Sequence, residues 1–214
     1  MKRRTLDIIT SIGGLGLALV LLMAGLVLAS NANFAKTYVK DQLGQQKIQF
    51  KTVATLTDEE KKAPCLTAFA GQNLTSGKQA ECYANSFIAL HVATATKGQT
   101  YAELGVPQGV ARTALADATK ADPNAANLPD LTKALADITA TRETAFKGET
   151  LRGLLLTSYG FSELGRKADQ ATGVAYLGAA LMLLLALAGF AHAFRTSKEV
   201  AFATPEQHKS AIKV

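Results

Sequence analysis

Two runs of twenty-three residues without a single charge, Ile8 to Ser30 (IITSIGGLGLALVLLMAGLVLAS) and Thr172 to Phe194 (TGVAYLGAALMLLLALAGFAHAF), constrain this chain more than anything else in it. At a rise of about 1.5 Å per residue, a helix of that length spans roughly 34 Å, enough to cross a hydrocarbon layer of about 30 Å. The runs are therefore read as two transmembrane helices, residues 8–30 and 172–194. They divide the rest into an N-terminus at 1–7, a segment at 31–171 and a tail at 195–214. The first run has a rival reading. MKRR before it and Ser30-Asn31-Ala32 after it have the layout of a secretory signal with a small-residue cleavage site. The apolar core of such a signal is about 7–15 residues, shorter than this run, so an uncleaved anchor is the reading taken.

Lys2, Arg3 and Arg4 ahead of the first run place the N-terminus in the cytoplasm. Two crossings return the chain to the same side, so residues 31–171 are expected to be extracytoplasmic and the tail from Arg195 to Val214 cytoplasmic, the whole held in the cytoplasmic membrane. The second run adds nothing to the orientation, because Arg166 and Lys167 precede it about as closely as Arg195 and Lys198 follow it. The net charge of +6 is spread evenly, with +2 on each of the three uncharged-run-delimited parts. No part is basic enough to favour nucleic acid as a partner; positive ends beside a membrane suit anionic headgroups.

The segment between the spans is expected to be mostly helical. Phe34, Tyr38 and Leu43 continue a helical stripe beyond the first run, the two aromatics at the level of a membrane surface. Lys47 to Leu56 (KIQFKTVATL) alternates partly with period two, which admits one short strand and hence a small strand pair. Lys78 to Thr94 places Ala80, Tyr83, Ala84, Phe87, Ile88 and His91 at helical spacing, and Gly98 can end that helix. Pro107, Pro123 and Pro129 punctuate the next stretch around a short helix at Val110 to Lys120. Asp130 is a good N-cap for a helix over Leu131 to Phe146, with Gly148 as its stop. Leu151, Leu154, Leu155 and Tyr159 then share a helical face, either core of the outer domain or an interfacial helix above the bilayer. The fold class expected is mainly α: two transmembrane helices flanking a mostly helical extracytoplasmic domain.

Cys65 and Cys82 are the only cysteines in the chain. In an oxidising compartment the reading taken is an intramolecular disulfide, which for a loop of about 15 residues contributes roughly 3 kcal/mol. Buried unpaired thiols remain the alternative, with a redox or metal role behind them. Straight helical spacing sets Cys82 roughly opposite Phe87, off the core face. A tetrahedral metal site lacks further ligands nearby, and a redox pair is more often Cys-x-x-Cys.

Little else in the chain has the pattern of chemistry. No Walker loop, dinucleotide turn, nucleophile elbow or His-Glu-x-x-His occurs. His91 is read as a packed, hydrogen-bonded histidine, His192 as a helix-end anchor and His208 as part of a polar tail. Asp58, Glu59 and Glu60, followed by Lys61 and Lys62, read as a solvated helix start. Asn73-Leu74-Thr75 matches the N-glycosylation pattern. Gly13, Gly14, Gly16, Ala175, Gly178 and Ala179 permit close helix approach within the spans. The chain is expected to be non-enzymatic, with no catalytic residue, no cofactor and no metal.

Four pieces in order, QQKIQF, LTAFAGQNLTSGKQAECYANSFIALH, GQTYAEL and TLRGLLLTSYGF, resemble a family of small actinobacterial membrane proteins. Its members are two-span proteins with an outer domain, many of them called aromatic ring-opening dioxygenases. The resemblance implies the topology and the compartment. Ring opening needs an iron site of histidine and carboxylate ligands, and His91 is the one histidine between the spans, so that activity is not expected here. The partners expected are the lipid bilayer and other membrane-protein subunits, or self-association, with the chain an accessory or stabilising subunit of a larger complex. The alternative is a ligand-sensing outer domain acting through a separate signalling partner.

Overall fold

The structure is a computed structural model that describes residues 2–197. Seven α-helices occupy the described residues: α1 (Arg3–Gln45), α2 (Asp58–Lys61), α3 (Pro64–Ala68), α4 (Gly77–Cys82), α5 (Ala89–Thr96), α6 (Gly105–Ala121) and α7 (Leu128–Arg195). A 3₁₀ turn at Val53–Thr55 and a π-helical turn at Tyr83–Ile88 complete the order. Two compact units form: one from the residues up to Phe34 and from Leu164 onward, the other from Ala35–Glu163. Helices α1 and α7 contribute to both.

In the first unit, α1 and α7 carry windows of eighteen residues with mean hydropathy 2.5 and 2.2, and only 11% and 17% of those windows is buried. A core helix of a water-soluble protein would bury most of such a stretch. Both helices are thus long and apolar enough to cross a membrane, with their apolar side chains turned outward.

The second unit is built on a core of large side chains. Val39 and Leu43 of α1, Leu66 of α3, Ile88 of the π turn, Val92 of α5 and Leu155 of α7 pack with Phe50, Leu56 and Leu74 from the connecting segments. Two capping boxes start the short helices: Thr57 with Glu60 before α2, and Ser76 with Gln79 before α4. Helix α5 stops where Lys97 and Gly98 take φ of 54° and 79°, and the Gly98 N–H donates to the Ala93 carbonyl at 2.8 Å. Gly98 is thus the terminator its position suggested.

The expected strand pair is not seen among the described residues. A single antiparallel bridge, Gln49 to Asn73, stands in its place. Phe50 N–H donates to the Gln72 carbonyl at 2.9 Å, Leu74 N–H to the Ile48 carbonyl at 2.8 Å and Gly71 N–H to the Lys51 carbonyl at 3.1 Å, but these bonds build no strand on either side. Lys47 at φ 53° and the 3₁₀ turn at Val53–Thr55 truncate one side, and Gly71 at φ 74° with the cap at Ser76 truncates the other.

Helix α7 corrects two boundaries. It begins at Leu128 rather than after Asp130, with Pro129 in its first turn, where a missing N–H costs nothing. It also passes through Gly148, because that glycine is a contact surface: a Cβ there would strike the Cγ2 atom of Val92. Gly77 likewise meets α7 at Ser162 and Tyr159. Of the leucine face expected from residue 151 onward, Leu155 is buried and Leu154 is exposed. Helix α6 is longer than its sequence pattern suggested, starting at Gly105.

Candidate functional site

In the first unit, α1 and α7 meet through small residues. Gly25 faces Tyr176, Gly178 faces Leu21, Gly14 faces Ala186 and Gly189 faces Ser11, a pairing order that makes the two helices antiparallel. Ser11, Ala18, Ala32, Thr172, Ala175, Ala179, Ala186 and Ala193 are the side chains buried in this unit. Gly13 and Gly16, by contrast, have open space where a Cβ would stand. Beside Ala18 and Ala179 runs an apolar groove of about 750 Å³, walled by Leu15, Leu19, Leu22 and Leu183, with Tyr176 at one side. At the other end of the pair the Asp7 carboxylate lies 2.9 Å from Nδ1 of His192, tying the first turns of α1 to the last turn of α7. His192 is thus a helix-end residue with a partner on the other helix. His208 and the tail from residue 198 lie outside the described residues.

In the second unit Cys65 and Cys82 form a disulfide between α3 and α4. Cys82 sits in the core, contrary to its place on a straight helical projection. The reason is the π turn that follows it. An i→i+5 turn spends an extra residue per revolution, so Cys82 and Phe87, opposite on a 3.6-residue period, come to the same side. The Ala84 carbonyl within that turn also accepts from Nε of Arg152 on α7 at 3.2 Å, which secures the π turn against the neighbouring helix.

Glu60 is the polar residue that reasoning from the sequence missed. Asp58 and Glu59 are solvated as expected, but Glu60 is only 1% exposed. One carboxylate oxygen accepts from the Thr57 N–H at 2.7 Å and the other from Lys51 Nζ at 2.7 Å. Burial by itself would raise this carboxyl, yet the Lys51 hydrogen bond, the Thr57 N–H and the nearby Lys51 and His91 charges hold it below its ordinary value. The signal that could have found it is the Thr57-x-x-Glu60 capping box, which turns the fourth residue of the run back toward the chain.

His91 is half exposed, with Nδ1 2.8 Å from the Phe87 carbonyl and Nε2 3.4 Å from a Glu60 oxygen. Phe50 meets Tyr83 edge-on, Tyr83 stacks on Phe87, Phe87 tilts against His91, and Lys51 lies over the Phe87 ring. Burial raises the Tyr83 phenol, with the Glu60 charge adding to it. The cluster unites a carboxylate, an ammonium and an imidazole, each engaged with another, which locks α2 onto the π turn and α5. Among the described residues no group of three or more His, Cys, Asp or Glu could hold a metal ion.

A cleft of about 220 Å³ opens near the start of α6, lined by Tyr101, Gln108, Thr139, Arg142, Glu143 and Phe146. Arg142 stacks over the Tyr101 ring at 4.1 Å and donates through Nη1 to the Gln108 side-chain oxygen at 2.6 Å. No family model, no curated protein and no solved structure matches this chain.

Proposed function

We propose that this chain is a two-span protein of a bacterial cytoplasmic membrane that serves as an accessory or stabilising subunit of a larger assembly. The observation that carries the reading is the mismatch between what the spans expose and what they use. Most of the apolar surface of α1 and α7 is uncovered, and Gly13 and Gly16 stand with no neighbour. Glycine lowers helix propensity, and within a membrane its use is to let another helix approach. The disulfide in the second unit supports an extracytoplasmic position, where such bonds persist, and Lys2, Arg3 and Arg4 support a cytoplasmic N-terminus.

The test is purification of the tagged full chain from its native membrane in mild detergent, followed by mass spectrometry. A defined set of companions in stoichiometric amount is the expected outcome. Recovery of the chain alone, as a monodisperse monomer, overturns the subunit reading.

A further inference from the structure

Two arginines of α7 in the outer unit are treated differently by the fold. Arg152 is neutralised within its own helix, with Nη1 at 2.8 and 2.9 Å from the two Glu149 oxygens. Arg142 forms no ion pair among the described residues. Its Nε donates to the Tyr101 carbonyl at 3.2 Å and its Nη1 to Gln108. Gln108 is itself buried and donates to Thr139 Oγ1 at 2.9 Å, so the chain Thr139–Gln108–Arg142 sets the plane of the guanidinium. Gly105 completes the setting: a Cβ there would stand 3.3 Å from Nη2.

A guanidinium fixed in this way, with donors to spare and no counter-ion, is prepared for a carboxylate. Glu143 lines the same cleft, its Oε2 also 3.3 Å from the exposed Lys147 ammonium one turn on, and a simple anion would meet its charge. A ligand carrying both a carboxylate and an ammonium suits both side chains. Tyr101 and Phe146, with ring centroids 5.7 Å apart, supply an apolar wall. The volume of about 220 Å³ is below the roughly 300–1,000 Å³ of sites for drug-sized ligands, which restricts the occupant to a small molecule.

We propose that this cleft binds a free α-amino acid, its carboxylate on Arg142, its ammonium toward Glu143 and its side chain against Phe146 and Tyr101. The site goes beyond the subunit reading and does not depend on it, since a subunit and a solitary protein can each carry it. The test is isothermal titration of the full chain in detergent micelles with L-leucine, isocaproate, which lacks the ammonium, and isoamylamine, which lacks the carboxylate. L-Leucine is expected to bind saturably and each half-molecule at least about tenfold more weakly, the ratio that one lost charge-assisted contact gives. Glu143→Gln should erase the advantage of L-leucine over isocaproate, and Arg142→Lys, which keeps the charge and loses the fork, should weaken L-leucine about tenfold or more. No saturable binding of L-alanine, L-leucine or L-phenylalanine overturns the proposal, as does equal binding of L-leucine and isocaproate. Should Arg142→Lys fail to fold, the exposed Glu143→Gln variant still decides.

Discussion

The two compact units bury different things. Where α1 meets α7 in the first unit, the buried side chains are alanines, Ser11 and Thr172, and glycines mark the contact points. The second unit buries alanines as well, Ala80, Ala84 and Ala145 among them, but adds leucines, valines, an isoleucine and Phe50. A membrane position for α1 and α7 would produce this contrast through solvent. In water, burying a large apolar side chain contributes about 1.5–3 kcal/mol, so a core collects the largest residues that fit. Between helices in lipid that drive is absent, and close approach by small residues is what remains. The same chain thus obeys two packing rules, and large apolar residues mean opposite things in the two units.

The contrast breaks first at the large residues. Leu66→Ala, at a site 1% exposed, is expected to destabilise the second unit by ~2–5 kcal/mol in denaturant titration followed by near-ultraviolet dichroism. Leu19→Ala, on an outward face of α1, should leave the same curve in place. Equal shifts from both would mean that the two units do not follow different rules.

A smaller effect is expected at Glu60, a charged residue buried in the second unit. Glu60→Gln near neutral pH should cost about 1–3 kcal/mol, because the Lys51 ammonium and Thr57 N–H lose their charged acceptor. The carboxyl is held below its ordinary value of 4.5 in the folded state. Its contribution is therefore complete above that value and drains away as pH falls through the lower folded value. Stability curves of the native chain and the variant should converge in that acid range. Curves that stay parallel there would assign the acid loss to other groups.

The smallest effect lies in the first unit. Asp7→Asn keeps a hydrogen-bond acceptor for His192, and the half-exposed imidazole limits what the charge contributes, so a loss below ~1 kcal/mol is expected in detergent-titrated unfolding. A larger loss would make this pair, rather than the small residues, the chief fastening between α1 and α7.

Legibility in the sequence divides along similar lines. The two long apolar helices were readable because a charge-free run of twenty-three residues satisfies one simple condition, length against apolarity. The disulfide was readable from the two cysteines and from the compartment that the sequence leads one to expect. The features that were not readable depend on partners distant in the chain. Gly148 looks like a stop until Val92 is seen to need the space, and Glu60 looks solvated until its capping box turns it inward. The strand pair failed because alternation over a few residues says nothing about where the partner segment is forced to turn. The cleft at Arg142 gathers residues from 101 to 146, and no short motif encodes such a gathering.

The π turn at Tyr83–Ile88 has one more consequence. An odd residue in a helix acts as a phase shifter: everything before it and everything after it are rotated relative to each other by about a quarter of a revolution. Upstream lies Cys82, joined to α3, and downstream lies His91, held by Glu60 of α2. Removing any one residue of the six would re-time the helix, and the two anchorages would call for incompatible rotations. The segment therefore behaves as a gear with a fixed tooth count, tolerant of substitution along its outer side and intolerant of any change in length.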